Sequence, residues 1–379
     1  MTAADPVRDH DVVIVGAGPV GLLLACLLAQ QGIDVVICER RSGDDLRSRA
    51  IGIHPPGLAM LDRAGVGAAV RAEALALSGG EVLSRGRVLA SLSFPADRAV
   101  RVLPQQRTHA LLRQRLDELA PGALQAGRTV RAVRDEGGFV RVRVDVGNRR
   151  REITAAFAVI ADGVHSGLRA TLGSDWRRRP GRAGYAMADV PDPSAGTRAL
   201  LHCEPGGLVE SFPLPGGMRR WVVRAAAGSD LSSADGFRAA IRGRTGDDPA
   251  IGSGVVPVAF VAAQHLTRMP VRGRTVLLGD AAHEISPIGG QGMNLGWVNA
   301  GRLAAALRSA LGQGEADLGD YARAALRAAR TAQSRCAFYM AMGAPSRGLP
   351  LTAREAVIRA LGSAPFREWA TGLVTMRGL

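Results

Sequence analysis

Apolar and polar positions along this chain follow two periods, one of strands and one of helices. Residues 11–15 (DVVIV) form a short β-branched run that reads as a buried strand, and Gly16-Ala17-Gly18-Pro19-Val20-Gly21 then leads into a helical stretch to about Gln31. A second strand over residues 34–38 ends at Glu39, and Pro55 and Pro56 open a helix near Gly57 that runs to Arg63. Alternating runs such as RVLASLSF predict strands of a second sheet between residues 82 and 103. Leu111, Leu112, Leu116 and Leu119 fall at helical spacing in PQQRTHALLRQRLDEL, an amphipathic helix. Strand patterns follow at 129–133, 140–146 and 153–160. Between 176 and 262, Pro and Gly punctuate short alternating segments, with Pro215-Gly216-Gly217 as a hairpin turn between residues 207–214 and 220–224. A buried strand at 276–278 stops at Gly279-Asp280, a glycine-rich turn leads to a helix beginning near Gln291, and residues 303–379 are helical with breaks at 343–350 and 362–365.

The expected architecture is α/β: a Rossmann-like nucleotide-binding domain, an inserted and mostly antiparallel sheet, and a helical C-terminus. At 379 residues and 47% hydrophobic content the chain has enough apolar matter for two domains or one elaborated core. Its N-terminus has neither an apolar core nor a basic leader, and the longest apolar run, 20–29, is too short to span a bilayer, so no membrane partner and a cytoplasmic location are expected. The four cysteines show no metal-type spacing and too low a density for a disulfide framework, so they read as core thiols, with no metal expected. The net charge of +14 raises nucleic acid as a partner, but the chain contains no lysine, its 48 basic residues are spread arginines, and no aromatic-rich basic segment occurs. Nucleic acid is therefore not expected; anionic small molecules are favoured.

Three stretches carry chemistry. GAGPVG at 16–21 is the dinucleotide fingerprint in its required strand-turn-helix setting: Gly16 allows a tight turn, Gly18 the close approach of a pyrophosphate, and Gly21 helix-strand packing. Glu39 stands where a carboxylate takes ribose hydroxyls, and it would repel the 2′-phosphate of NADPH at that site. Between residues 279 and 294, Asp280 could accept hydroxyls, and the helix start at Gly290, Gln291, Gly292, Met293 and Asn294 could offset negative charge on a ligand. The alternative for that stretch is an ordinary turn, where Gly and Asp are common. ADGVHSGLR at 161–169 is the third stretch, and there Ser166 reads as a cap for a short helix.

The three motifs in chain order, at 16–21, 161–169 and 278–296, resemble the class A flavoprotein monooxygenases, the group typified by para-hydroxybenzoate hydroxylase and the phenol and polyketide hydroxylases, over nearly the whole chain. The resemblance implies one bound FAD, NAD(P)H as a transient co-substrate without its own domain, O2, and a small-molecule substrate. It divides the chain into FAD-binding pieces at 1–81, 104–175 and 263–310, substrate-sheet pieces at 82–103 and 176–262, and C-terminal helices at 311–379. It places Gly16, Gly18 and Gly21 at the pyrophosphate, Glu39 at the adenosine ribose, and Arg40, Arg49, Gln105 and Asp162 on FAD. Gly279 and Asp280 fall at the ribityl chain, and Pro287, Gly290, Gly292, Met293 and Asn294 against the flavin ring. Asn299, Arg302 and His109 depart from the family pattern. The implied reaction is hydroxylation of an aromatic or polyketide-like molecule through a flavin C4a-hydroperoxide in a dry pocket, with no side chain as catalytic acid or base. A reductase, or a flavoprotein that binds FAD for structure, is the alternative; the tryptophan motif of flavin halogenases is absent. A monomer or homodimer is expected. Strand alternation puts Arg220, Val222 and Arg224 on one face and Trp221 and Val223 on the other, and Trp221 with Phe212 is expected to line a largely apolar substrate pocket.

Overall fold

The computed structural model describes residues 8–43, 50–194, 196–314 and 316–378. Residues 12–15 of the strand His10–Val15 are buried, as a nearly continuous Val/Ile run must be when both faces of a parallel sheet are covered. The sheet runs in the order Val271–Arg272, Thr275–Leu277, Arg149–Ile160, His10–Val15, Val35–Glu39, Leu124–Ala126. All neighbours along it are parallel except the first pair. Arg128–Asp135 and Val140–Val146 form an antiparallel meander on the first half of the long strand Arg149–Ile160. On one face, helices Pro19–Ala29, Gln105–Leu119 and Gly292–Gln313 join the core through Leu22, Leu112, Trp297 and Leu303. The first of these is apolar all round and buried accordingly.

A second sheet has seven strands in the order Val258–Ala262, Ala183–Pro191, Met218–Arg224, Gly207–Leu214, Arg198–Glu204, Gly79–Ser84, Arg87–Ser93. It is antiparallel except where Arg198–Glu204 meets Gly79–Ser84. The hairpin turn at Pro215-Gly216-Gly217 is where the sequence put it. The strand reading of residues 82–103 extends too far, because Arg101–Val102 pairs instead with Gly52–Ile53 and Leu75–Ala76 in a separate small sheet. The helix Ala234–Thr245, within a stretch read as sheet, packs Phe237 and Ile241 against Val209, Trp221 and Val223. The opposite face of the sheet, carrying Tyr185, Leu208 and Val222, packs with Ile288 of the glycine-rich turn and Met340 of the helix Gly319–Met342. The helix Gly348–Gly362 docks on the sheet through Arg354, which donates to Cys203 O (2.6 Å), and Glu355, which accepts from Ser84 Oγ (2.8 Å) and Arg85 Nε (2.9 Å). The helix Arg367–Val374 follows it. The Rossmann-like part, the largely antiparallel sheet and the helical C-terminus are those the sequence predicts. Among the described residues no helix is long and apolar enough to cross a membrane.

Candidate functional site

The three motifs meet at the carboxyl ends of neighbouring strands, the position at which open α/β sheets take ligands. Gly16 N donates to Cys38 O (2.9 Å), Ala161 N to Val15 O (2.8 Å) and Leu278 N to Ile160 O (2.9 Å). Gly16 has φ +103°, and a Cβ there would stand 2.6 Å from Ala161 O. A Cβ on Gly21 would stand 2.2 Å from Gly16 O. At Gly18 the case is opposite: no atom lies within 4 Å of its Cβ position, and it caps the helix Pro19–Ala29 without a side-chain hydrogen bond. The first-turn N–H groups of that helix thus stand beside open space.

The rim of this space is polar. Glu39 is half-buried, accepting from Ala17 N (2.8 Å) through Oε2 and from Arg41 N (2.9 Å) through Oε1. Gln105 and His109 lie one turn apart on the helix Gln105–Leu119; Gln105 N donates to Ala50 O (3.1 Å), and the His109 Nε2 lies 2.9 Å from Ala17 O. The departure at His109 therefore holds the glycine loop. Arg40 is exposed and its charge reaches Asp162, whose Oδ1 is buried without a partner and whose pKa burial pushes up. Gly279 (φ +60°) packs on Val20, beside the exposed Asp280. Arg49 lies outside the described residues. Ser166 caps the helix Gly167–Thr171 by accepting from Arg169 N (3.1 Å). The Arg169 guanidinium donates to Ala281 O (3.1 Å) and Val164 O (2.9 Å) and lies 3.5 Å over the Trp176 ring, tying the second motif to the third.

The turn before the helix Gly292–Gln313 is closed by Gly290 N donating to Pro287 O (2.9 Å), with Pro287 exposed and Gly290, Gly292 and Met293 half-buried. Gly289 (φ +94°) lies under the Tyr339 ring, which a Cβ would meet at 2.6 Å. The helix has no side-chain cap; Gln291 precedes it with both polar side-chain atoms buried and unpartnered. Asn294, read as lying against a ligand, turns its side chain into the protein: Nδ2 donates to Gly52 O and Gly290 O (both 3.0 Å), and Oδ1 accepts from His54 N (2.9 Å). Only its backbone N–H remains for a ligand. Asn299 and Arg302 are joined, Arg302 Nη1 donating to Asn299 Oδ1 (3.1 Å), and Asn299 Nδ2 lies 3.2 Å from His283 Nε2.

FAD fits these residues. Open space lies at Gly18, two helix starts lack side-chain caps, and the buried polar atoms of Asp162 and Gln291 lack the partner that such groups almost always have. The substrate side brings one correction. Trp221 points away from the glycine-rich turn into the cluster with Phe237 and Ile241, because the helix Ala234–Thr245 covers that face. Phe212 pairs with Arg220 across the hairpin, on the face shared by Val222, which is the face that packs with Ile288. The arginines there are committed: Arg220 grips Asp189 through Nε (2.6 Å) and Nη2 (2.8 Å), and Arg224 Nη1 donates to Met340 O (2.8 Å). The sequence reading passed over Glu210, a carboxylate between Leu208 and Phe212 on an apolar face, and Tyr339; the odd charge in LVESF was the available signal for the first.

Fold and site together define a Rossmann-like flavin-binding protein. A sequence model of the FAD binding domain matches residues 9–335, and the chain belongs to that family, the class A flavoprotein monooxygenases. It is 33% identical over 319 residues to the 12-dehydrotetracycline 5-monooxygenase/anhydrotetracycline 6-monooxygenase of Streptomyces rimosus, covering 78% of this chain and 61% of that protein. It is 29% identical over 308 residues to a 3-(3-hydroxy-phenyl)propionate/3-hydroxycinnamic acid hydroxylase of Burkholderia vietnamiensis, covering 78% and 49%. The chain thus spans about half to three fifths of the length of these relatives. The solved anhydrotetracycline hydroxylase of Streptomyces rimosus superposes with a TM-score of 0.79 at 28% identity, over 98% of this chain and 76% of that one. The p-nitrophenol 4-monooxygenase of Pseudomonas putida shares the fold, with a TM-score of 0.86 at 23% identity over 97% and 98%.

Proposed function

We propose that this chain is an FAD-dependent monooxygenase that uses NAD(P)H and O2 to hydroxylate an aromatic or polyketide-like small molecule. The observation that carries the reading is the convergence of the three motifs at the carboxyl ends of neighbouring strands, with open space at Gly18, an unpartnered Asp162 oxygen, and Ile288 of the 287–294 turn packed on the apolar side of the second sheet. FAD, when bound, would supply the redox chemistry of hydride acceptance from NAD(P)H and of oxygen activation. The chain's part is to bind, orient and keep dry. Gly16, Gly18 and Gly21 admit the pyrophosphate, Glu39 and Arg40 serve the adenosine end, and Gln105, Asp162, Gly279 and Asp280 flank the middle of the cofactor. Pro287 to Asn294 would hold the ring, and the uncapped N–H groups of the helix Gly292–Gln313 would offset negative charge on it. Phe212 and Val222 face the same side as Ile288 and keep water from the reacting atoms.

The test is to purify the protein with FAD and follow NADPH oxidation, O2 uptake and product mass over a panel of phenols, hydroxybenzoates and polycyclic phenols. Non-covalent flavin and one O2 consumed per hydroxylated product are expected. A colourless protein that cannot be reconstituted with FAD sinks the reading, and NADPH oxidation that needs no O2 replaces it with a reductase.

A further inference from the structure

On the sheet face that packs with Ile288, Arg220 is held by Asp189 and Arg224 by Met340 O, whereas Glu210 stands among apolar neighbours. Glu210 pairs across the strands with Val222 and Leu201, and it is buried to 4% exposure. No hydrogen bond or ion pair among the described residues reaches its carboxyl, and burial alone pushes its pKa up to about 8. The arginines that could have neutralised it are turned elsewhere, Arg220 to Asp189 and Arg224 to Met340 O. Its charge would be felt by Tyr185 on the sheet and by Cys336 on the helix Gly319–Met342, so the carboxyl lies between those two elements. One turn further along that helix, Tyr339 lies on Gly289 of the glycine-rich turn, and its hydroxyl is also buried without a partner.

An acid left without a partner on an apolar face costs stability at neutral pH and does nothing for packing. A ligand that supplies the missing hydrogen bond removes that cost. We propose that the Glu210 carboxyl is the polar anchor of the substrate chamber, hydrogen-bonding a hydroxyl or carbonyl oxygen of an otherwise apolar, uncharged aromatic substrate. The neutral acid can donate to a carbonyl oxygen and accept from a hydroxyl, so both a phenol and a quinone-like ketone satisfy it. A substrate carboxylate would add a second buried carboxyl to a wall whose two arginines are already engaged, so charged aromatic acids are disfavoured. This rests on the monooxygenase reading and narrows its substrate class.

The test uses the flavin-loaded protein and two probes that differ by one carboxylate, 1-naphthol and 1-hydroxy-2-naphthoate, with binding measured by equilibrium dialysis. The parent should bind 1-naphthol at least about tenfold more tightly than the acid. Glu210→Gln, which keeps a neutral donor and acceptor, should bind 1-naphthol within about threefold of the parent, whereas Glu210→Leu should lose about tenfold or more at unchanged flavin content and a Tm no lower than the parent's. Preference for the acid, binding of neither probe to the parent, or undiminished 1-naphthol binding by Glu210→Leu overturns the proposal. Failure to retain FAD sinks the functional reading instead, so the two failures are distinct.

Discussion

Gly18 is the residue at which local sequence says most. Its Cβ position is open in the folded chain, so Gly18→Val should fold normally, yet two methyl groups would fill the space proposed for the pyrophosphate at the helix start. Flavin content after gel filtration should fall to background while circular dichroism and Tm stay at the parent values; full flavin retention would place the pyrophosphate elsewhere. On the proposed reading, Glu39→Ala and Asp280→Ala each remove an acceptor for a sugar hydroxyl of FAD. A hydrogen bond to a charged group contributes about 1.5–3 kcal/mol, so FAD affinity in a fluorescence titration should weaken about tenfold to a hundredfold in each. These positions were legible because a strand, a glycine loop and a helix start are adjacent in sequence and chemically constrained. Trp221 was not, since alternation tells that it opposes Val222 but not which face the helix Ala234–Thr245 covers. Glu210 was legible as an odd charge; its lack of a partner depended on where Arg220 and Arg224 turned.

At the scale of elements, the helix Gly348–Gly362 shows how the C-terminus is held to the sheet. Glu355 is buried and takes Ser84 Oγ and the Arg85 guanidinium, while Arg354 donates to Cys203 O at the end of a sheet strand. Arg85 beside it holds the Glu355 carboxyl below its ordinary range. Glu355→Ala leaves the buried Ser84 hydroxyl without that acceptor, and should cost about 1–3 kcal/mol in urea unfolding, with a lower midpoint. Flavin affinity should change far less, because the clamp is on the strand Gly79–Ser84 and its turn, away from the cofactor motifs. An unchanged midpoint would mean that the helix is held by its apolar contacts alone. The sequence predicted helix here, with Ala- and Arg-rich surfaces, but the clamp joins residues 271 positions apart and has no local signature. The helix Ala234–Thr245 was missed for a different reason: Gly236 and Gly243 dilute its period, leaving only the Ser233 cap and the Phe237–Ile241 spacing as signals.

For the whole molecule, three buried titratable groups shape the pH dependence of stability. Burial pushes His54 and His283 down to about 4 from 6.5, and Glu210 up to about 8 from 4.5. Between pH 4.5 and 6.5 the unfolded chain binds two histidine protons that the folded chain refuses, while the folded chain keeps one carboxyl proton that the unfolded chain has lost. The difference of two minus one favours the unfolded state in protons, so these groups make stability rise with pH in that window. Between 6.5 and 8 the histidines are neutral in both states and Glu210 alone remains, so its contribution falls as pH rises. Each such proton corresponds to a limiting slope of about 1.4 kcal/mol per pH unit. Taken by themselves, these three groups change the sign of their slope near pH 6.5; burial also lowers His202 and raises Glu204, which act in the same two directions. Glu210→Gln removes the alkaline limb's cause, so the gap in unfolding free energy between variant and parent should widen from pH 5 to pH 8 in favour of the variant and then level off. Urea titrations at intervals across pH 5–9 measure it. A gap that stays constant with pH would mean that the folded chain ionises Glu210 in the ordinary carboxylate range, and that the acid finds in solution a partner it lacks in this structure.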